Sequence, residues 1–171
     1  MSSRSHHSPK VTLAIFAYNQ EKFIREAVDG ALAQTYSSLE IILSDDCSTD
    51  KTFQIMCDMA SAYRGPHRVV ARQNAFNIGT ALHVQSAFSE SSGDLFVVAA
   101  GDDISVPNRV ESLVEVWTAA GMPEGLVHSG REIIRDGQVI EKLPAIRNPS
   151  SDGPLEGFAN SRWLPAAPPT C

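Results

Sequence analysis

Two pairs of adjacent aspartates are the residues of this 171-residue chain that are best suited to chemistry. Asp45 and Asp46 follow one apolar segment, and Asp102 and Asp103 follow another. Four carboxylates that share a partly desolvated crevice repel one another unless a cation or a ligand's donor group lies between them. A hard divalent ion with oxygen ligands, bridging to a diphosphate, would relieve that repulsion. As an alternative, the same acids could cap helix N-termini, where Asp and Ser are favoured.

The segments that precede these aspartates have the length and composition of buried strands. Apolar runs predict strands over 11–17, 39–44, 68–72 and 94–100. Helical spacing of apolar residues begins near residue 20, after residue 50, at residue 80 and at residue 107. This alternation predicts an α/β fold with a mostly parallel central sheet and right-handed crossovers. In such sheets ligands bind at the carboxyl ends of the strands, which is where both aspartate pairs fall.

Local features of these helices are also predicted. Asn19 is expected to be the N-cap of the first helix. The third helix, over 80–89, is expected to turn four apolar residues towards the core: Ala81, Val84, Ala87 and Phe88. The fourth helix is expected to begin near Pro107, which suits a first helical turn, and to stop at Gly121.

The pattern changes after residue 125. Residues 126–143 predict a hairpin with Asp136 and Gly137 at its turn. Residues 144–171 hold six of the ten prolines and show little periodicity. We therefore expect a disordered leader over 1–9, an α/β ligand-binding domain over 10–125, the hairpin, and a poorly ordered proline-rich tail.

Composition narrows the partners and the compartment. A formal net charge of −6 argues against a nucleic-acid partner. Three cysteines without a Cys-x-x-Cys pair exclude a disulfide framework and a structural zinc site. No apolar run approaches the roughly 20 residues of a membrane-spanning helix, and the first ten residues lack the apolar core of a secretory signal. We expect a cytoplasmic protein, with peripheral attachment to a membrane complex left open.

Familiar ligand-binding loops are absent from the sequence. No Gly-x-Gly-x-x-Gly follows the first predicted strand, and no Gly-x-x-x-x-Gly-Lys-[Ser/Thr] or Gly-x-Ser-x-Gly is present. These absences argue against a dinucleotide fold, a P-loop and a serine-hydrolase elbow. Because the first aspartate pair follows the second strand and not the first, a phospho-accepting receiver domain is also disfavoured.

Short motifs spaced over residues 9–120 resemble a known family. They are PKVTLAIFAYN (9–19), QTY (34–36), SDDCSTD (44–50), NIG (77–79) and GDD (101–103), followed by Pro107. Together they resemble the family-2 glycosyltransferases of the GT-A fold. The resemblance implies a Rossmann-like three-layer sandwich that binds a nucleotide-diphosphate sugar, with a UDP-sugar expected, together with Mg²⁺ or Mn²⁺.

The resemblance also implies which residues contact the donor. The nucleotide-binding set would be Ala17, Tyr18, Asn19, Asp45, Asp46, Asn77, Gly79 and Asp102. Ala17 and Tyr18 would border the base, and Asp46 would accept a hydrogen bond from the imide N–H of the base. This suits an ionised carboxylate, which is an acceptor only.

Two further implications concern the diphosphate. Asp102 and Asp103 match the acidic metal motif of the family and would hold the ion against the leaving nucleoside diphosphate. Asn77 and Gly79 match the turn before the third helix, where backbone can approach the donor closely.

The sequence departs from the family pattern at several positions. The metal motif commonly reads Asp-x-Asp-Asp, but its first place here is Ala100. Where family members often carry an Arg in the third helix, His83 could supply a polar contact or be a half-exposed histidine with no role. Family-2 enzymes often place the general base in a Glu-Asp pair, which this chain lacks. The acids after Gly130 are Glu132, Asp136, Glu141, Asp152 and Glu156, and the base is not identifiable among them.

The expected function is metal-dependent, inverting transfer of a sugar to a hydroxyl of a glycan or lipid-linked acceptor. The resemblance favours a role in the synthesis of surface polysaccharide or lipopolysaccharide. The alternatives are a non-catalytic nucleotide-sugar binding module and a plain α/β structural or partner-binding domain. We also expect the acceptor half to be incomplete, through truncation or a frame lost near Pro165, and an exposed apolar patch to favour self-association.

Overall fold

The computed structural model describes residues 8–37, 39–122, 129–135 and 138–144. Within residues 8–122, strands and helices alternate along the chain. The elements are β1 (Val11–Ala17), α1 (Ile24–Leu32), β2 (Glu40–Asp45), α2 (Thr52–Ala62), β3 (Arg68–Gln73), α3 (Thr80–Glu90), β4 (Leu95–Ala100) and α4 (Arg109–Ala119). Each predicted strand is present within one residue of its expected ends. Most of the predicted leader and tail, residues 1–7 and 145–171, lies outside the described residues.

The four strands form one parallel sheet in the order β3-β2-β1-β4. Every residue of β2 is buried, as is nearly every residue of β1, because both strands lie in the middle of the sheet. Ala87 of α3 packs with Ala14 and Ile42 on one face. Helices α1 and α2 contact each other, and right-handed crossovers place them on the opposite face. The predicted α/β fold with a mostly parallel central sheet is confirmed.

The predicted N-cap of the first helix is wrong. Helix α1 begins at Ile24, one turn later than expected, after a turn in which the Phe23 N–H donates to the Gln20 carbonyl at 2.9 Å. Asn19 instead adopts a left-handed conformation with φ 53°, and its Oδ1 accepts the Thr49 N–H at 2.8 Å. Asn tolerates positive φ better than most residues, so it suits this sharp exit from β1.

The predicted inner face of α3 is confirmed at Ala87 and wrong at Ala81 and Phe88, which are exposed. The buried residues of α3 are His83 and Ala87, whereas the side chain of Phe88 is 58% exposed. Phe88 keeps one apolar contact, an edge-to-face packing against Phe96 with 5.2 Å between ring centroids. The helix is rotated from the expected position because His83, a polar residue, finds a hydrogen-bond partner in the core.

The chain divides into two compact units between Val116 and Trp117. In the second unit, β5 (Arg131–Arg135) and β6 (Gln138–Leu143) pair in antiparallel fashion, as predicted for a hairpin. The expected turn residues, Asp136 and Gly137, lie outside the described residues. None of the helices described is long and apolar enough to span a membrane.

Candidate functional site

Main-chain hydrogen bonds gather the ends of the strands at one edge of the sheet. The Asp46 N–H donates to the Ala17 carbonyl at 2.9 Å, and the Gly101 N–H donates to the Phe16 carbonyl at 2.8 Å. The Asn74 N–H donates to the Asp45 carbonyl at 2.9 Å. The chain adds β2 and β3 on one side of β1 and then crosses back to add β4 on the other side. The carboxyl ends of the strands around β1 are therefore the topological switch point, where open α/β sheets bind ligands.

Asp46 lies at this edge with only 3% of its surface exposed. Its Oδ1 accepts hydrogen bonds from Asn74 Nδ2 at 2.7 Å and from the Ile78 N–H at 3.0 Å. Its Oδ2 accepts the Gly79 N–H at 2.9 Å. Burial raises the pKa of Asp46, but the hydrogen bonds from Ile78, Asn74 and Gly79 outweigh it and leave the pKa below its usual value. Asp46 is thus an ionised acceptor, with three of its roughly four acceptor positions filled by the protein.

The turn before α3 delivers these N–H groups. Gly79 precedes the helix with φ 79° and ψ 161°, a conformation that is essentially restricted to glycine. A Cβ at Gly79 would meet nothing within 4 Å, so the backbone conformation and not crowding requires glycine. Asn77 supports the same turn, because its Oδ1 accepts the Gly79 N–H at 3.2 Å.

Asp45 stabilises the loop that follows β2. Its Oδ2 accepts the Ser48 N–H at 2.8 Å and Gln73 Nε2 at 2.9 Å, and its Oδ1 accepts the Ser48 hydroxyl. The helix-capping alternative applies better to Asp50, whose Oδ1 accepts the Thr52 N–H at the start of α2. These bonds shape the segment between β2 and α2.

The segment after β1 is tied to the segment after β2. The Asn19 N–H donates to Ser48 Oγ at 2.8 Å, and the Gln20 N–H donates to Thr52 Oγ1 at 2.8 Å. Tyr18 lies between these fixed neighbours with its side chain 47% exposed, and Ala17 beside it is buried. A flat, half-exposed ring at the switch point is suited to contact with a planar ligand.

Asp102 and Asp103 lie in an exposed turn directly after β4. A Cβ at the preceding Gly101 would lie 2.8 Å from the Ala17 Cβ, so glycine permits the close approach of the ends of β4 and β1. The turn is closed by the Asp103 N–H, which donates to the Ala100 carbonyl at 3.2 Å. Burial lowers the pKa of the Arg109 guanidinium, and the nearby negative charge of Asp103 partly offsets that shift.

Helix α1 positions the segment that follows these aspartates. A Cβ at Gly30 would lie 2.9 Å from the Ser105 carbonyl oxygen, so this helix and the segment are in close contact. Gln34 Nε2 donates to the carbonyls of Gly30 at 2.9 Å and Val106 at 2.8 Å, and its Oε1 accepts the Val110 N–H at 3.0 Å. The QTY motif therefore holds the start of α4.

All four aspartates lie at the carboxyl edge of the sheet, as expected, but they do not form one metal-binding cluster. Among the residues that the structure describes, no group of three or more His, Cys, Asp or Glu side chains is placed to hold a metal ion. Protein N–H and O–H donors stabilise the negative charges of Asp45 and Asp46. This pair therefore does not need the cation that the sequence predicts between the carboxylates. Asp102 and Asp103 suit a different type of metal site. Mg²⁺ is commonly held by one or two carboxylates, with substrate phosphates and water as the other ligands.

Several polar residues behind this edge are not predicted from the sequence. Ser44, Arg72 and Asn74 connect to Asp46, and His83 is 3% exposed where a half-exposed side chain was expected. One signal was present in the sequence: Ser44 ends the mostly apolar run LEIILS (39–44), which predicts a strand buried on both faces.

Comparison with known proteins agrees with this geometry. The model of the family "Glycosyl transferase family 2" matches residues 12–133. EpsE of Bacillus subtilis, named as a glycosyltransferase, is 36% identical over 106 residues, which cover 62% of this chain and 37% of EpsE. The uncharacterized glycosyltransferase RT0329 of Rickettsia typhi is 33% identical over 128 residues, covering 75% of this chain and 38% of that protein.

Solved structures share the fold. TarS of S. aureus (residues 1–349) in complex with UDP-GlcNAc matches with a TM-score of 0.58 and 20% identity, over 72% of this chain and 40% of that one. The mannosyltransferase PcManGT of Pyrobaculum calidifontis, in complex with GDP-Man and Mn²⁺, matches with a TM-score of 0.54 and 24% identity, over 58% of this chain and 29% of that one.

The chain spans less than two fifths of the length of the two sequence relatives described above. The family match nevertheless runs from β1 to β5 and so includes both aspartate pairs. The chain belongs to glycosyl transferase family 2.

Proposed function

We propose that this chain binds a nucleoside-diphosphate sugar at the carboxyl edge of its sheet and forms the donor side of a glycosyltransferase. The observation that carries the proposal is the set of main-chain bonds that joins the ends of β2 and β4 to β1. They place Tyr18, an ionised Asp46 and the Asp102–Asp103 turn at one switch point. The two complexes with UDP-GlcNAc and GDP-Man described above support the donor class.

The nucleotide base would lie beside Ala17, Tyr18 and Asn19. One acceptor position of the Asp46 carboxylate remains after the bonds from Asn74, Ile78 and Gly79. A single N–H of a base, such as the imide of uracil, would fill it. A UDP-sugar is the proposed donor, in line with the family resemblance and with the TarS complex. Asp45, Asn77 and Gly79 would act by shaping the loops around the base.

Asp102 and Asp103 would hold Mg²⁺ or Mn²⁺. Such an ion, when bound, stabilises the negative charge that develops on the leaving nucleoside diphosphate. The exposed turn after β4 leaves both carboxylates accessible to an ion that arrives with the donor. Ala100 removes one acid of the usual motif, so these two residues would supply the protein ligands.

The proposed reaction displaces the nucleoside diphosphate at the anomeric carbon. The bond from that carbon to the phosphate oxygen breaks, and the acceptor hydroxyl oxygen forms a new bond from the opposite face, which inverts the configuration. The hydroxyl proton passes to a general base. We assign no residue to this role, and Glu132, an acid of the hairpin, is paired with Lys142.

The acceptor would be a hydroxyl of a glycan or a lipid-linked saccharide, in the synthesis of surface polysaccharide or lipopolysaccharide. We also propose a cytoplasmic location, with or without peripheral membrane attachment, and self-association through exposed apolar residues. The alternative function is a nucleotide-sugar binding module without transfer. It fits the lack of a Glu-Asp pair in this sequence, the motif in which family members often carry the general base.

Titration of the chain with UDP by calorimetry, with and without Mn²⁺, tests the donor site. We expect metal-dependent binding that is lost in Asp46→Ala and weakened at least about tenfold in Asp103→Asn, the size of one charge-assisted contact. Asp58→Asn is the matched control, because Asp58 is an exposed acid of α2 that contacts only Gln54 among the bonds described. Equal binding by all variants, or no binding by the parent chain, contradicts the proposal.

Hydrolysis of a UDP-sugar separates the two functions. Slow, Mn²⁺-dependent release of UDP by the full chain, abolished in Asp103→Asn, supports an enzyme. Binding of UDP without any release from the UDP-sugar supports the binding module.

A further inference from the structure

A buried polar network lies behind Asp46 and has no part in the proposed reaction. His83 of α3 is 3% exposed, and its Nε2 lies 2.7 Å from Ser44 Oγ of β2. One side of the His83 ring is apolar, because the Phe16 ring packs edge-on against it with 4.9 Å between centroids. Burial of a polar pair destabilises the fold unless every donor and acceptor has a hydrogen-bond partner.

Arg72 of β3 connects this pair to the candidate site. Its Nη1 donates to Ser44 Oγ at 2.7 Å, and its Nη2 donates to Asn74 Oδ1 at 2.8 Å and to Ser86 Oγ at 2.9 Å. Its Nε lies 3.2 Å from the Glu90 carboxylate. The guanidinium therefore occupies a fixed orientation, with its rigid fork of donors shared among β2, β3 and α3.

The donors of Arg72 determine which way the Asn74 amide faces. A guanidinium has no acceptor, so the Asn74 oxygen must face Arg72 and the Asn74 Nδ2 must face Asp46. That nitrogen is 2.7 Å from Asp46 Oδ1. An inverted amide would place the two oxygens against each other and remove one hydrogen bond from the Asp46 carboxylate.

The Ser44 hydroxyl joins Arg72 to His83. Its oxygen accepts from Arg72, and it shares a hydrogen bond with His83 Nε2 whose direction follows from the tautomer of the imidazole. Burial lowers the pKa of His83, and the positive charge of Arg72 lowers it further, although Asp46 and Asp45 oppose the shift. The main-chain N–H of His83 donates to the Gly79 carbonyl at 2.9 Å, as the first-turn bond of α3. The His83 side chain thus ties the first turn of α3, directly after the 77–79 turn, to Ser44 of β2.

We propose that His83, Ser44 and Arg72 are positioning residues that orient the Asp46 carboxylate and the 77–79 turn for a nucleotide base. This inference rests on the proposed donor site. None of the three residues needs to touch the nucleotide, since they act through the Asn74 amide and through the first turn of α3. Their loss weakens nucleotide binding without removing a ligand contact.

A matched pair of substitutions on one strand tests the inference. Arg72→Lys keeps the positive charge but cannot reproduce the fork, whereas Arg68→Lys makes the same change four positions earlier, where Arg68 pairs with Glu40. We expect UDP binding in the presence of Mn²⁺ to weaken about five- to tenfold in Arg72→Lys. Arg68→Lys should stay within about twofold of the parent chain. Ser44→Ala is a second variant, expected to weaken binding in the same direction, in case Arg72→Lys does not fold.

Titration of the Asp46 carboxyl by NMR, without nucleotide, gives a readout that a purely structural role would not move. The charged or titratable groups around Asp46 are Asp45 on β2, Arg72 on β3 and His83 on α3. Because Arg72→Lys frees the Asn74 amide to turn away, the pKa of Asp46 should rise towards its usual value. Arg68→Lys should leave the pKa of Asp46 unchanged.

The outcomes separate this inference from the proposed function. If the parent chain binds UDP and both lysine variants bind it equally with an unchanged Asp46 pKa, the inference is overturned. If the parent chain binds no UDP, the proposed function fails and the Asp46 titration alone decides the inference. A rise of that pKa confined to Arg72→Lys and Ser44→Ala then supports a positioning network, and its absence overturns it.

Discussion

The two aspartate pairs at the carboxyl edge of the sheet have opposite surroundings. Asp45 and Asp46 are buried, and N–H and O–H donors of the protein surround their carboxylates. Asp102 and Asp103 are exposed in a short turn. Adjacent acids that look alike in sequence therefore differ in use according to how many donors the fold delivers to them. The buried pair organises the loops and keeps one acceptor position of Asp46 for the proposed contact with a base, whereas both carboxylates of the exposed pair are open to solvent.

Removal of one carboxylate from each pair is expected to give the largest contrast. Asp46→Ala leaves the Ile78 and Gly79 N–H groups and the Asn74 amide without their acceptor, so the free energy of unfolding should fall by about 2–4 kcal/mol. Asp102→Ala removes an exposed side chain and should change it by less than about 0.5 kcal/mol. Urea denaturation followed by circular dichroism measures both. Similar losses in the two variants would contradict the distinction drawn between the pairs.

The glycines beside the two pairs should show a smaller contrast. Gly79→Ala forces a Cβ into a conformation with φ 79° and ψ 161°, and we expect a loss of about 1–3 kcal/mol in the free energy of unfolding. Gly101→Ala places its Cβ 2.8 Å from the Ala17 Cβ and closer still to the flexible end of the Gln20 side chain, which is a steric conflict. The added substitution Ala17→Gly should therefore restore part of the stability lost in Gly101→Ala, and none of that lost in Gly79→Ala. Urea denaturation of the single and double variants tests this difference in cause.

The smallest effect concerns pH and the buried network behind Asp46. The pKa of His83 is lowered in the folded state, chiefly by burial, so between that value and the ordinary pKa of about 6.5 the unfolded chain binds more protons. Stability should consequently fall as the pH drops below about 6.5, and the loss should level off below the folded pKa. His83→Gln can keep a bond to Ser44 but does not titrate. Its free energy of unfolding, measured between pH 7 and pH 5, should decline less than that of the parent chain, and parallel declines would contradict the assignment.

The sequence predicts the sheet better than it predicts the site. Continuous apolar runs such as 11–17 identify the strands, because a strand buried on both faces has little choice of residue. Because the carboxyl ends of parallel strands meet at one edge, the sequence also predicts correctly which loops lie there. It does not give the partners of each carboxylate, since the donors to Asp46 lie 28 to 33 residues further along the chain and depend on strand order.

The orientation of α3 shows the same limit. Its apolar residues predict that Phe88 faces the core. In the structure His83 is buried instead, because Ser44 on β2 offers it a hydrogen-bond partner. The register that sets Ser44 beside Arg72 exists only in the assembled sheet. Polar pairs of this kind become visible once tertiary neighbours are known.

The Gln34 side chain limits which residues can occupy its position. Its amide nitrogen donates to two carbonyls, one in α1 and one in the segment before α4, and its amide oxygen accepts a main-chain N–H of α4. Glutamate has the length but lacks the donors, and asparagine has the donors but is one methylene shorter. Among random substitutions, position 34 should therefore be intolerant of both chemical relatives, even though it lies away from any proposed ligand contact.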